Sequence, residues 1–592
     1  MEVPQGALKP LNPQRLPQAA WDELATRIRI EPDPVAHQIH VTATFTQPLQ
    51  PLRVLLPNRW SAHLNLKRSL RDMSARCVST GAELRLQVDV PDELSVHHQG
   101  CMQVEVRYRV VPPRGPAGTG HAVRYEPQID PHGGLLLYGQ VSLLLPRMDP
   151  RDAQRSGVEV VVASDWAVAT NWTPVRLEGD GVAALEPMTT RTVWRFVADD
   201  LGHLFDSVVA AGPMRLYGRQ LADGRFLQVA CQGELPLDDT ELMELTTRLV
   251  REQRRYLPPH WHWPAGTRRL SMIARGVQGS GRLEGGGRRG GFLVEVGRDA
   301  PARDLAELVA HEAFHVVNGH LLVHAPEAEY DTLWFKEGVT TYIAAQTVVR
   351  AGLAEESWFR ARLAEVIGAY YSNPVAFRLS VDGLHERFWN NTDARRLPYD
   401  KGALLGLMLD GALLRPGSGR TQAGLERMFQ VLLMEVAARG QTYNNATLER
   451  TVRRLDDRGE LVQRTFWSRY VSGVDALPLR DMLQRQGLHL MQGAVRVPWF
   501  GFQVGVDGVG AYIAAVDQRG PAARAGLQPG DRLVDEHAMQ RARIGQPFRF
   551  RVERGGVPMQ ATVTPEPGRR TDYRVNPLGL DRTQLRYLEL LR

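Results

Sequence analysis

The chain has 592 residues, with 72 Lys+Arg against 66 Asp+Glu and a net charge of +6, so it is too long for one core and long enough for roughly two to four domains. Only four basic residues are lysine (Lys9, Lys67, Lys336 and Lys401), and the arginines are dispersed among acids. With no sustained basic run interleaved with aromatics, the composition argues against a nucleic-acid partner.

Residues 1–26 form a Pro-rich and polar amino-terminal extension without the basic-then-apolar layout of a signal peptide. The expected compartment is therefore the cytoplasm by default, or the periplasm or exterior if a signal peptide has been removed. Cys77, Cys101 and Cys231 are odd in number and lack C-x-x-C spacing, so neither a disulfide framework nor a thiolate metal site is indicated. They read as small buried hydrophobes, with a Cys77–Cys101 pair left open.

From 27 to 200 the sequence alternates apolar and polar residues in short runs, such as 38–45, 83–90 and 102–110, separated by Pro and Gly clusters. Period-two alternation with such punctuation predicts a β-sandwich. Helical spacing begins at 240–256 through Leu242, Leu245, Leu249 and Val250, and stops at the Pro-rich stretch 257–264. There His260 and His262 read as packing or surface residues. Strands are expected at 269–275 and 292–296, flanking a Gly-rich run that lacks the Lys-Ser/Thr of a phosphate-binding loop. Pro301 opens the next helix, with Asp299 a candidate cap.

That helix contains His311-Glu312-Ala313-Phe314-His315. Histidines four apart share one helix face, so both rings can reach one metal ion with Glu312 beside them. With 17 His in the chain, a chance match is expected on the order of 0.03 times per chain of this length. A catalytic zinc takes a third protein ligand and keeps a position for water. Glu337 is the candidate, because it lies in an apolar, Trp-containing run where an unpaired carboxylate would be costly to bury. That run, 331–350, is a predicted helix capped by Asp331 and stopped at Gly352.

From 353 to 487 the pattern is mostly helical, including 425–438 and 481–486. Within it lies Leu397-Pro-Tyr-Asp-Lys-Gly402, where Tyr399 has a hydroxyl to offer. Lys336 and Lys401, half of the lysines, both fall in these segments. The longest apolar stretch, 402–414, is interrupted by Asp410 and is too short to cross a bilayer, so no membrane insertion is expected. Strands return at 500–504 and 512–516, with a hairpin at Gly555-Gly556, marking a separate module at 496–567. The tail 568–592 reads as loosely attached.

His311-Glu-Ala-Phe-His315 with Asn318, then Leu333-Trp-Phe-Lys-Glu-Gly-Val-Thr-Thr-Tyr342, then Tyr399-Asp-Lys-Gly402, together resemble the glycyl aminopeptidase family of gluzincin metallopeptidases. Asp199-Asp-Leu-Gly-His203 resembles the family's approach to its catalytic domain, and the Pro-Ala…Ala-Gly-Leu…Gly-Asp run at 521–531 resembles a PDZ domain. The resemblance implies a multidomain α+β protein: an amino-terminal β-sandwich, a thermolysin-like α/β zinc-peptidase domain with a helical lobe at 201–490, and a carboxy-terminal PDZ-like β domain. It implies one zinc ion held by His311, His315 and Glu337, Glu312 as general base, and Tyr399 as hydrogen-bond donor to the oxyanion. Peptides are the implied substrates.

The family's Gly-Gly-Leu-Glu-His, whose Glu contacts the substrate's amino group, reads here Gly281-Arg-Leu-Glu-Gly285. Glu284 is kept, while Arg282 and Gly285 depart from the pattern. Three readings therefore stay open: an aminopeptidase preferring small residues such as Gly and Ala, an endopeptidase with a remodelled amino-end pocket, and a non-catalytic zinc-containing binding protein. Only sixteen residues separate Asp531 from Phe548, too few for the usual strand and second helix of a PDZ groove, which argues against peptide capture there.

Overall fold

Alternation builds the amino-terminal sheets as expected: along Gln38–Thr46, Ile39, Val41, Ala43 and Phe45 are buried while the residues between them are partly or fully exposed. A computed structural model describes residues 13–591 except 57–58, 61–62, 65, 91, 114–125, 131–133, 148–153, 179–190, 265–266, 278–282, 386, 415–423, 464, 508–509, 535–538, 540 and 580–585. Gln38–Thr46 lies in an eight-stranded sheet between Thr26–Asp33 and Gln103–Val110. Two four-stranded sheets share its core, in which Ile30, Val41, Val106 and Val160 meet Val54 and Val96 of one and Leu137 and Val209 of the other.

Cys77 and Cys101 are joined by a disulfide, and Cys231 is free and buried. This corrects the reading of three unpaired hydrophobes. Val104 faces Cys77 across the ladder between Gln103–Val110 and Leu70–Cys77, which brings Cys101 within reach, and strand register of this kind is not visible in cysteine spacing.

The chain packs as two compact units, one comprising Met1–Asp239, Trp263–Gln278 and Glu284–Arg298, the other Thr240–His262, Gly279–Leu283 and Asp299–Arg592. This division runs through the 201–490 segment. The first unit ends in a five-stranded sheet ordered Met214–Gln220, Phe226–Gln232, Arg269–Val277, Gly291–Gly297 and Leu283–Arg288. Its middle three strands are parallel and are buried along most of their length, as the near-continuous apolar runs require. Leu283–Arg288, which carries Glu284, is an edge strand. The turn after it is fixed by Arg289, whose guanidinium donates to both Asp200 oxygens at 2.8 and 2.6 Å while its amide donates to Asp206 at 2.9 Å. Asp199-Asp-Leu-Gly-His203 thus anchors this hairpin, with Asp200 also capping the short helix Leu201–Phe205.

The second unit is mainly helical. Its ligand helix, Ala302–Phe314, begins directly after Pro301. Asp299 does not cap it; its carboxylate lies 3.4 Å from Arg541. The helix expected over 331–350 forms from Leu333, with π winding at Trp334–Val339 and α winding at Thr340–Arg350. Asp331 does not cap it, and its carboxylate faces His385 at 3.6 Å. Gly352 does stop the helix, with φ +66°, where a side chain would be strained. His260 and His262 are exposed, as expected.

Asp410, the charge inside the apolar run, lies in the long helix Thr392–Leu413 and is fully buried. It accepts from Tyr342 at 3.0 Å, Gln346 at 2.9 Å and the Leu425 amide at 2.9 Å. Burial pushes its carboxyl above the usual carboxylate range. The same Gln346 reaches the Leu590 carbonyl at 3.1 Å, and Arg350 donates to it at 2.6 Å. The tail is therefore docked rather than loose. Glu566–Pro577 pairs along its whole length with Leu488–Trp499, and Tyr587, Leu588, Leu590 and Leu591 are buried. Removing residues 586–592 would strip this apolar cover and leave Arg350 and Gln346 short of an acceptor, so a fall in Tm of several degrees is expected by calorimetry.

The carboxy-terminal module is a five-stranded sheet of Phe502–Asp507, Gly510–Val516, Arg532–Leu533, Phe548–Arg554 and Val557–Val563, with a short helix at Pro521–Arg524. Ile513, Leu527, Phe550, Val552 and Val563 form its core. No helix among the described residues is long and apolar enough to cross a membrane.

Candidate metal centre

His311 in the last turn of Ala302–Phe314 and His315 at its C-cap bring their Nε2 atoms to 3.1 Å from each other, and each lies 3.4 Å from Glu337 Oε2. A tetrahedral zinc with bonds of about 2.0–2.1 Å holds its ligand atoms about 3.3 Å apart. The three spacings match that edge length, so the donor set fits zinc. Among the described residues this is the one cluster of His, Cys, Asp or Glu with metal-binding spacing.

The rings are held from behind. His315 Nδ1 faces the Asn318 carbonyl at 3.2 Å, and His311 Nδ1 faces Thr341 Oγ1 at 3.4 Å. Thr341 Oγ1 in turn donates to the Glu337 carbonyl at 2.9 Å, so it accepts from His311. With both Nδ1 atoms acting as donors, each ring keeps its Nε2 lone pair for the metal. Burial opposes a charge on Glu337, yet His315 first, then His311 and Lys336 beside it, hold its carboxyl well below the usual range. Burial also opposes a charged His315, but Glu337 and then Glu312 outweigh it and raise the imidazole. The pocket is thus built to keep the carboxylate ionised.

Glu312 is buried on the same helix. Tyr399 comes from Thr392–Leu413, its ring 6.4 Å from the His311 ring with the planes 21° apart. It arrives there because two helices meet on glycine: an added Cβ on Gly338 would collide with the backbone of Pro398 and Gly402, and one on Gly402 with that of Trp334. Trp334 and Asn318 complete the support, through Trp334 Nε1 donating to Asn445 at 3.1 Å and Asn318 Nδ2 donating to the Phe335 carbonyl at 2.9 Å. Lys401 is fully buried and donates to the Gly473 carbonyl at 3.1 Å, and burial pushes its ammonium down to about 8. Its role is to tie this helix to the 467–475 segment.

His311, His315, Glu312, Glu337 and Tyr399 are therefore gathered in the second unit. Glu284 belongs to the first. It lines a pocket there with Tyr138, Gly285, Gly286, Arg288, Leu293 and Glu295. Glu295 is buried and paired with Arg275 at 3.2 Å, and the Arg288 guanidinium lies over the Tyr138 ring at 5.2 Å. Arg282 lies outside the described residues. Thr341, Tyr138 and Glu295 went unread in the sequence, and none sits in a local pattern that would single it out. The signal for the glycine contact was present, since a Gly inside a helical run costs about 1 kcal/mol and usually has a packing reason.

Fold and site together define a zinc metallopeptidase. Residues 304–405, which include His311, His315, Glu337 and Tyr399, match the family model for the M61 glycyl aminopeptidases. Among solved structures, the chain is similar to an aminopeptidase N family protein from Idiomarina loihiensis, with TM-score 0.69 and 17% identity over 95% of this chain and 99% of that one. An M1 zinc metallopeptidase from Deinococcus radiodurans follows, with TM-score 0.51 and 14% identity over 79% of this chain and 95% of that one. These likenesses are of fold. No curated protein matches the chain by sequence.

Proposed function

We propose that the chain is a zinc-dependent aminopeptidase that removes the first residue of peptides with a free amino terminus, with a preference for small residues such as Gly and Ala. The observation that carries this is the spacing of His311, His315 and Glu337, with Glu312 on the same helix and the Tyr399 ring beside His311. One zinc ion, when bound, polarises the scissile carbonyl and activates water. Glu312 takes the proton from the attacking water and delivers it to the leaving amine. The Tyr399 hydroxyl donates to the developing oxyanion.

We assign the amino-terminal contact to Glu284, on the support of its retained place in the motif and its position on an edge strand lining a pocket with a second carboxylate. The reaction is tested by giving the zinc-loaded protein a mixture of free and amino-acetylated peptides, with and without chelator, and reading products by mass spectrometry. Stepwise trimming of the free peptides alone, lost with chelator, is the expected result. Internal cuts in both pools would establish the endopeptidase, and no cleavage would overturn the peptidase reading for these substrates. Glu284→Gln is expected to raise KM for free-amine peptides by about ten- to a hundredfold, the worth of one hydrogen bond to a charged group, with zinc content unchanged.

The disulfide supports an oxidising compartment, periplasmic or extracellular, over the cytoplasm. We read the carboxy-terminal module as PDZ-like and structural, on the shortness of the 531–548 connection.

A further inference from the structure

Both ligand-bearing segments converge on one residue that holds no metal. Asn318 is fully buried, three residues beyond His315, where the helix breaks at φ −97°, ψ 70°. Its main-chain carbonyl accepts from His315 Nδ1 at 3.2 Å. Its Nδ2 faces the carbonyls of Phe335 at 2.9 Å and Lys336 at 3.3 Å and the hydroxyl of Thr340 at 3.0 Å. These three residues bracket Glu337 in sequence. The amide orientation follows from the acceptors, since two of the three partners are carbonyls and cannot donate to an oxygen.

Among the described residues Asn318 Oδ1 has no hydrogen-bond partner. A buried acceptor left unmade costs about 1–3 kcal/mol, so the side chain is poorly explained as filler. An amide is retained for what its NH₂ does. That group spans from the histidine segment to the backbone just before the third ligand and to the Thr340 hydroxyl just after it.

We propose that Asn318 is the positioning residue of the zinc site, setting the distance between the His311/His315 pair and Glu337 by holding His315 with its main-chain carbonyl and the segment around Glu337 with its side-chain NH₂. It rests on those three residues being the zinc ligands. Without it the carboxylate-bearing turn loses its fixed distance from the two rings, and the ligand edges of 3.1, 3.4 and 3.4 Å are no longer enforced.

The test is the zinc dissociation constant, measured by chelator competition on Asn318→Leu, which keeps the side-chain shape and removes the donor. Support of this kind behind metal ligands is worth roughly 10- to 100-fold in affinity, and a loss of that size is expected, with the thermal stability of the zinc-free protein little changed. A folded variant that loses stability but binds zinc as tightly as the parent would overturn the proposal and leave Asn318 a packing residue. If Asn318→Leu does not fold, Thr340→Val, which removes one of the three acceptors, decides the matter: a severalfold weaker zinc affinity supports the proposal and an unchanged one overturns it. Failure of the parent chain itself to bind zinc would instead strike the ligand assignment.

Discussion

Glu312→Gln is expected to reduce peptide hydrolysis by about 10²- to 10⁴-fold, the usual contribution of a positioned general base, while the protein still binds one equivalent of zinc. The amide keeps the shape and burial of the carboxylate and removes its ability to accept a proton. Glu312 is not among the three residues with metal-binding spacing, so the ion is retained. Metal analysis beside steady-state kinetics on a free-amine peptide makes the measurement. Hydrolysis at the parent rate would show that Glu312 is not the base, and loss of zinc together with activity would show that it acts as a ligand or as support for one.

The second large effect is expected at a residue with no side chain. Gly338 follows the third ligand directly, and a methyl group there would run into the Pro398 carbonyl and Gly402 Cα. Both obstacles are main-chain atoms of the tyrosine helix, so no rotamer change relieves the clash. Gly338→Ala should cost about 1–3 kcal/mol of stability, the range for overpacking a well-filled contact. It should also lower kcat by pushing apart the two elements that carry Glu337 and Tyr399. Displacement of about 1 Å can cost on the order of a hundredfold in rate. Gly402→Ala is expected to act alike, because its Cβ would meet Trp334 and Gly338 from the other side. Calorimetry separates loss of fold from loss of rate. A variant with parental Tm and parental kcat would mean that the helices part without consequence.

The clustering of His311, His315 and Glu337 was legible in the sequence because its signals are local: two histidines at i and i+4 declare a shared face, and Glu337 and Tyr399 sit in motifs recognisable as strings. What escaped the string depends on partners far along the chain. The docking of the tail rests on Leu590 meeting Gln346, 244 residues away, and composition alone made that segment look detached. The Cys77–Cys101 bond depends on strand register. Asp299 and Asp331 have the right residue type for caps, yet Arg541 and His385 face them instead. The helix expected from Asp331 has π winding at Trp334–Val339, a change that amphipathic spacing does not resolve.

The two compact units also constrain how such a chain can be altered or inherited. The backbone passes from one to the other after Asp239, His262, Gln278, Leu283 and Arg298. A recombination break or a fragment boundary placed anywhere between 240 and 298 therefore divides both units. Neither can be lifted out as a cassette by one cut, and any single crossover along the chain divides at least one of them between the two parents.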